Sequence, residues 1–286
     1  MRWIGGRESD NVDDRRGSGP GGLVIGGGIG TLVIAVIVML LGGDPSALLN
    51  QQDGGAQTEQ QAPVNKQADD AAAQFTRRVL ASTEDVWTKL FAEQNAQYEP
   101  PVLVMYRGVT SSGCGTAQKA MGPFYCPADR KVYIDLSFYD ELAEQFQAPG
   151  ELAMAYVIAH EIGHHVQHLL GITDKTDAMR QRMSEREYNK VSVRVELQAD
   201  YFAGVWAHHA QGQSISIDEN DVAAALRAAN AIGDDHIQQE TQGRVMPDAF
   251  THGTSAQRMY WFKKGLQSGD INQGNTFNTQ EDAGLQ

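Results

Sequence analysis

The chain has only two cysteines, Cys114 and Cys126, among 286 residues. That excludes a multi-cysteine zinc site and a small scaffold stapled by many disulfides. Positive charge is also scarce: 23 Lys and Arg stand against 36 Asp and Glu, a formal charge of −13. No nucleic-acid-binding surface is expected from that balance, and anionic headgroups offer such a chain little. Internal repeats are lacking. Aromatic residues are missing from the stretch "DPSALLNQQDGGAQTEQQAPVNKQADD". It cannot bury enough to fold, so residues 42–70 read as a flexible linker. What remains is long enough for one large domain or two small ones with a sizeable core.

Charge is absent altogether from Leu23 to Leu41, "LVIGGGIGTLVIAVIVMLL". Roughly 20 apolar residues cross a bilayer. A secretory signal has an apolar region of only about 7–15 residues and a small-residue cleavage site. This run is longer, and Asp44-Pro45 follows it, so 23–41 reads as an uncleaved transmembrane helix. Arg2, Arg7, Arg15 and Arg16 precede it, and the next basic residue is Lys66. The positive-inside rule then puts residues 1–22 in the cytoplasm and the bulk of the chain outside. Gly22, Gly26 and Gly30 fall at i, i+4, i+8. They could form a seam for a homo-oligomer, or be glycines of the kind that membrane helices tolerate.

The globular domain is expected at 71–270, followed by a disordered tail at 271–286. Apolar spacing predicts a helix through "QFTRRVLASTEDVWTKLF", with a possible break near Ser82. "PVLVMYRG" and "KVYIDLSF" read as strands, with a loop or hairpin between them. Further helices are predicted from Pro149-Gly150 to Gly171, after the Ser184/Glu187 capping box, from about Asp218, and over "SAQRMYWFKKGL".

Half of the eight histidines lie in "YVIAHEIGHHVQHLL", residues 156–170. Within it, His160-Glu161-Ile162-Gly163-His164 is an H-E-x-x-H pattern. Residues i and i+4 share a helix face one turn apart, so both imidazoles reach one ion. Zinc takes such nitrogens at about 2.0–2.1 Å. Glu161 stands one step from His160, placed as general base for the water that zinc activates. The flanks are apolar, and polar groups there need partners, which a metal supplies. His165 points about 100° away from His164, and His168 lies about 12 Å along the axis from His160. Both read as ordinary helix histidines. The third ligand must come from elsewhere. "VELQADYFAGVWA" offers Glu196 and Asp200 on one helix face, with Glu196 as ligand and Asp200 orienting a ligand imidazole.

The chain resembles the neutral zinc metallopeptidases of bacteria, which are single-span, membrane-anchored proteins. The likeness rests on "MRW" with "GRESDNVDDRRG", on "STEDVW", "GPFYCPADRKVYIDLSFYDEL", "AYVIAHEIGHHVQ", "ELQADYFAGVWA", "AIGDDHIQ" and "FTHGTSAQR". It implies an α+β, zincin-like domain, mainly helical with a small sheet, and a glutamate as third zinc ligand. It also implies an inner-membrane location with the catalytic domain periplasmic. It names no substrate.

In zincins a strand edge before the active helix receives an extended peptide, and "RKVYIDL" at 130–136 lies in the right part of the chain; it reads equally as an ordinary core strand, and the sequence does not separate the two. His252 has two readings. It donates to the oxyanion of the reacting carbonyl, or it caps the helix that begins near Ser255. Arg258 lies in the same segment. An exported compartment is oxidising, so Cys114 and Cys126 are expected to pair across the hairpin. The resulting expectation is one Zn2+ per chain on His160, His164 and Glu196, with Glu161 and His252 catalytic and a protein or peptide as substrate. Two alternatives stand beside it: a tethered zinc scaffold without hydrolysis, and a zinc amidase acting on cell-wall peptides.

Overall fold

A computed structural model describes residues 1–3, 6–17, 66–118, 122–140, 151–231, 233–235, 246 and 249–285. The chain begins with strands β1 (Arg2–Trp3) and β2 (Val12–Asp14), then helix α1 (Lys66–Glu93). Strands β3 (Val102–Tyr106), β4 (Val109–Ser112), β5 (Gly115–Gln118), β6 (Phe124–Cys126) and β7 (Lys131–Asp135) follow. Helices α2 (Glu151–Leu169), α3 (Ile172–Arg180) and α4 (Glu185–Ala210) precede a short β8 (Ile215–Ser216). Helices α5 (Glu219–Ala231) and α6 (Ser255–Ser268) complete an α+β architecture.

The main sheet has the order β2-β3-β7-β6, with β6 antiparallel to β7 and the other pairs parallel. Side chains alternate across it, because successive residues of a strand point to opposite faces. Leu103, Met105, Val132 and Ile134 enter the helical core. Val104, Tyr106 and Tyr133 face the other way, where Ala117 and Cys126 cover them. That two-sided burial explains the unbroken apolar run of β3. The β4–β5 hairpin is tied to β6 by the Cys114–Cys126 disulfide, Cα atoms 5.8 Å apart.

Helix α4 packs along both α6 and α2. Its start carries the capping box: Ser184 Oγ accepts from the Glu187 N–H, and Glu187 reaches back. Helix α1 lies over this layer, with Trp87 edge-on to Phe202 at 5.5 Å. Ser82 does not break α1. Its hydroxyl meets Ser214 Oγ at 2.8 Å and accepts from Trp206 Nε1 at 3.1 Å.

Several expectations are corrected. Of the two readings of 130–136 the core strand holds, because β7 lies between β3 and β6, and among the described residues the sheet edges are β2 and β6. The linker boundary at residue 70 is too late, since α1 begins at Lys66. The C-terminal tail is ordered. Asp282 is buried and takes both Arg194 Nη1 contacts at 2.7 Å, and Trp261 Nε1 donates to it at 3.2 Å. The expected span 23–41 and its Gly22/Gly26/Gly30 seam lie outside the described residues. Among the described residues no helix is long and apolar enough to cross a membrane.

The N-terminal residues are not a separate segment. Met1–Gly19 group with Ala68–Gln286 in one unit, and Pro20–Gln67 form another. Val12 pairs with Leu103 in the main sheet, and Arg2 with Ser216. The buried Glu84 carboxylate accepts from Arg7 Nη2 at 2.6 Å, Ser9 Oγ at 2.6 Å and Asn11 Nδ2 at 2.8 Å. Arg16 reaches Asp69 of α1 at 2.8 Å. Residues 1–17 and the domain therefore belong to one folded unit, with β2 a strand of its main sheet.

Single cysteines at the exposed positions Asp10 and Lys89 are accordingly expected to react alike with an impermeant maleimide in spheroplasts. Labelling of one and protection of the other would show that β2 is not part of the domain in the cell.

Candidate metal centre

Two long helices bring the ligands together. His160 and His164 sit one turn apart on α2, and their rings stand edge-on at 4.8 Å. Glu196 on α4 straddles them, with Oε2 3.1 Å from His160 Nε2 and Oε1 3.5 Å from His164 Nε2. Donor atoms of all three residues lie within 4.8 Å of one another. Around a tetrahedral ion with bonds of about 2.0–2.1 Å, donors stand roughly 3.3 Å apart. The carboxylate stands near that spacing from each imidazole, at 3.1 and 3.5 Å, so the three residues could hold one metal ion.

This approach depends on Gly163. A Cβ there would stand 2.9 Å from the Ala199 carbonyl oxygen and 3.0 Å from its Cα. Any side chain would push α2 off α4, and with it the two histidines off Glu196.

Behind the ligands lies a buried polar layer. Asp200, 0% exposed, takes His160 Nδ1 at 2.8 Å, so His160 presents Nε2 to the ion. The same carboxylate accepts from the Tyr156 hydroxyl at 2.5 Å and from Arg258 Nε at 2.9 Å and Nη2 at 3.0 Å. His164 is oriented differently: its Nδ1 meets Gln167 Oε1 at 2.9 Å. Gln167 and Tyr156 escaped the sequence reading. Their positions, i+3 from His164 and i−4 from His160, were the available signal.

Electrostatics follow from this packing. Burial opposes a charged His160, but Asp200 and Glu196 outweigh it and lift its pKa to about 10 in the metal-free site. Burial likewise opposes a charged Glu196, and His164 and His160 hold it well below the usual carboxylate range. Protons therefore compete with a metal for these donors. Glu161 is raised, chiefly by burial, while the two histidines and the Tyr125 backbone N–H pull the other way.

The site opens on a cleft of about 500 Å³. Phe124, Tyr125 and Phe138 line it from the sheet side, Val157 and Tyr188 from the helices, and His252 from the loop before α6. The edge strand β6 is fixed to α2 by His165. The Tyr125 hydroxyl donates to His165 Nδ1 at 3.2 Å, and His165 Nε2 donates to the Glu99 carbonyl at 2.7 Å. His165 thus faces away from the ligands, and burial pushes it down to about 4.

His252 does not cap α6; Thr254 does, in a capping box with Gln257. Its Nδ1 lies 3.1 Å from Asp234 Oδ1, which leaves Nε2 unclaimed by that pair. Asp234 is held by the backbone N–H groups of Thr251, His252 and Gly253 at 2.6, 2.5 and 3.0 Å. Burial opposes a charged His252, but Asp234 and the nearby Glu196 raise its pKa. Asp234 was also missed; its sequence neighbourhood carries no spacing that points to His252.

Comparison with known proteins agrees with this chemistry. Residues 1–277 match the family described as "Putative neutral zinc metallopeptidase". The uncharacterized protein YpfJ of Escherichia coli is 51% identical over 97% of this chain and 99% of its own. The uncharacterized protein Rv2575 of Mycobacterium tuberculosis is 41% identical over 71% of each chain. No solved structure matches the chain. The chain belongs to this metallopeptidase family.

Two outcomes are expected. Glu196→Ala should lose nearly all zinc on dialysis, while Asp200→Asn should keep the site but bind zinc about 10–100-fold more weakly. Full zinc in Glu196→Ala would mean that another residue completes the set. The second concerns pH. Below about 6.5 the unfolded chain gains a proton at His165 that the fold refuses until about 4, so stability falls as pH drops through that window and levels below it. His165→Phe should flatten the melting midpoint between pH 6.5 and 4; an unchanged slope would rule His165 out as its source.

Proposed function

We propose that this protein is a zinc metallopeptidase with a zincin-like fold, hydrolysing peptide bonds of a protein or peptide substrate. One observation carries the reading: His160, His164 and Glu196 converge at zinc spacing with a buried Glu161 one residue along, on a cleft bounded by a sheet edge. A structural zinc has no use for Glu161, which disfavours the scaffold alternative.

When bound, zinc would activate a water and polarise the carbonyl it attacks. The protein's own groups do the rest. Glu161 accepts a proton from the attacking water, and its raised pKa suits it to hold that proton and pass it to the leaving amine. Asp200 and Gln167 keep the two imidazoles in the Nδ1–H form. His252, kept cationic longer by Asp234, offers Nε2–H to the carbonyl oxygen as charge builds there. The edge of β6 supplies main-chain groups that an extended peptide can pair with. Phe138, Val157 and Tyr188 line an apolar part of the cleft suited to a side chain. Arg258, neutralised by Asp200, steadies the site.

Glu161→Gln should keep about one zinc per chain and lose hydrolysis, and serve as a substrate trap in extracts. His252→Ala should bind zinc normally and lower kcat about 100-fold. Its pH profile should also lose the alkaline fall that appears in the wild type when His252 gives up its proton. A Glu161→Gln form with wild-type hydrolysis of a peptide library would refute the mechanism.

A further inference from the structure

The hydrogen bonds behind His164 do not end at Gln167. Gln167 Nε2 donates to the Val195 carbonyl at 2.7 Å and to Gln198 Oε1 at 3.1 Å. Gln198 Nε2 donates to the Gly274 carbonyl at 2.7 Å. Gly274 belongs to the C-terminal tail beyond α6. Both glutamines are buried, 0% and 6% exposed.

The direction of this chain is dictated at its far end. A backbone carbonyl only accepts, so Gly274 forces the Gln198 amide nitrogen to face it. Gln198 then presents its oxygen to Gln167. Val195 and Gln198 both ask for donors, so the Gln167 nitrogen turns to them and its oxygen turns to His164. An oxygen there accepts from Nδ1–H, which leaves the His164 Nε2 lone pair on the side of Glu196. A neutral imidazole has two tautomers, and only this one serves a metal on Nε2. His160 obtains the same result from a carboxylate; His164 obtains it from a relay of neutral groups.

The tail is seated so that Gly274 can close the relay. Thr276 Oγ1 donates to the Arg194 carbonyl at 2.5 Å, and Asp282 grips the Arg194 side chain. Gly274 lies against the Tyr201 ring, where a Cβ would stand 2.6 Å from Cδ1. Only glycine lets the carbonyl come this close.

We infer that the C-terminal tail is a positioning element of the metal site, acting on His164 through Gly274, Gln198 and Gln167. The inference rests on the zinc reading above. It makes residues far from the cleft determinants of metal affinity.

The test measures zinc affinity by chelator competition, together with the His164 Nδ1–H resonance of the zinc-loaded, full-length protein. Gln167→Leu should weaken zinc about 10–100-fold. Gln198→Leu and Gly274→Ala should each weaken zinc about 10-fold and broaden that resonance through faster exchange. Because all three act through one path, Gln167→Leu/Gln198→Leu should bind zinc no more weakly than Gln167→Leu alone. Gly274→Ala changes only the tail, so it serves if Gln198→Leu does not fold. Unchanged affinity and resonance in Gln198→Leu or Gly274→Ala would overturn the relay, as would losses that multiply in the double variant. Wild-type protein that takes up no zinc would instead remove the metal reading itself, and the relay with it.

Discussion

The centre of this protein depends on one carboxylate that has no solvent. Asp200 joins three helices: it accepts from His160 and Tyr156 on α2 and from Arg258 on α6, while it sits on α4. An unpaired carboxylate in that place would cost several kcal/mol. Here burial raises its pKa, and Arg258 and His160 more than reverse the effect. The guanidinium is equally buried and equally dependent on Asp200. Neither charge is tolerable without the other. The pair therefore sets which helix faces meet, and the first metal ligand is oriented by the same contact that holds the helices.

A charge count around the site explains why a divalent ion suits it. Glu161, Glu196 and Asp200 are three carboxylates, and the guanidinium that meets them among the described residues is Arg258, paired with Asp200. With both ligand histidines neutral, two negative charges remain uncompensated. Against burial, the same carboxylates raise both imidazoles, Asp200 and Glu196 acting on His160 and Glu196 on His164. A divalent cation replaces protons at the same nitrogens.

Much of this was legible in the sequence, and the failures have a common cause. H-E-x-x-H and E-x-x-x-D are local spacings on single helices, so the faces bearing His160, His164, Glu196 and Asp200 could be read directly. The capping box of α4 and the apolar runs of β3 and β7 are local too. Strand order is not local. Nothing in "RKVYIDL" says that "FYC" will pair outside it, and so the sequence alone does not separate an edge strand from a core strand there. The N-terminal strand failed in the same way. Its partners Leu103 and Glu84 lie dozens of residues away, and the charged pattern of "GRESDNVDDRRG" resembles a solvated segment until Glu84 is placed among Arg7, Ser9 and Asn11. The tail misled by composition. Its polar residues look unable to fold, yet a few of them satisfy Arg194 and Gln198 on a helix already built.

The edge strand shows how separate devices serve one geometric demand. Positioned groups lose much of their effect when displaced by about 1 Å, so the proposed mechanism needs Glu161 and β6 to share a frame. In this fold the frame is α2. Glu161 lies on it and faces the same cleft as Tyr125 of β6. One residue-face away on the same helix, His165 takes the Tyr125 hydroxyl. On its far side β6 is bound to the hairpin by Cys126, which is buried against Tyr106 and Tyr133. A three-residue strand at a sheet edge would otherwise fray, since it has one hydrogen-bonded neighbour and few residues to pair. Held from both sides, β6 keeps its place beside α2, and the His165 that looked spare among the four histidines of α2 becomes the residue that ties the edge strand to that helix.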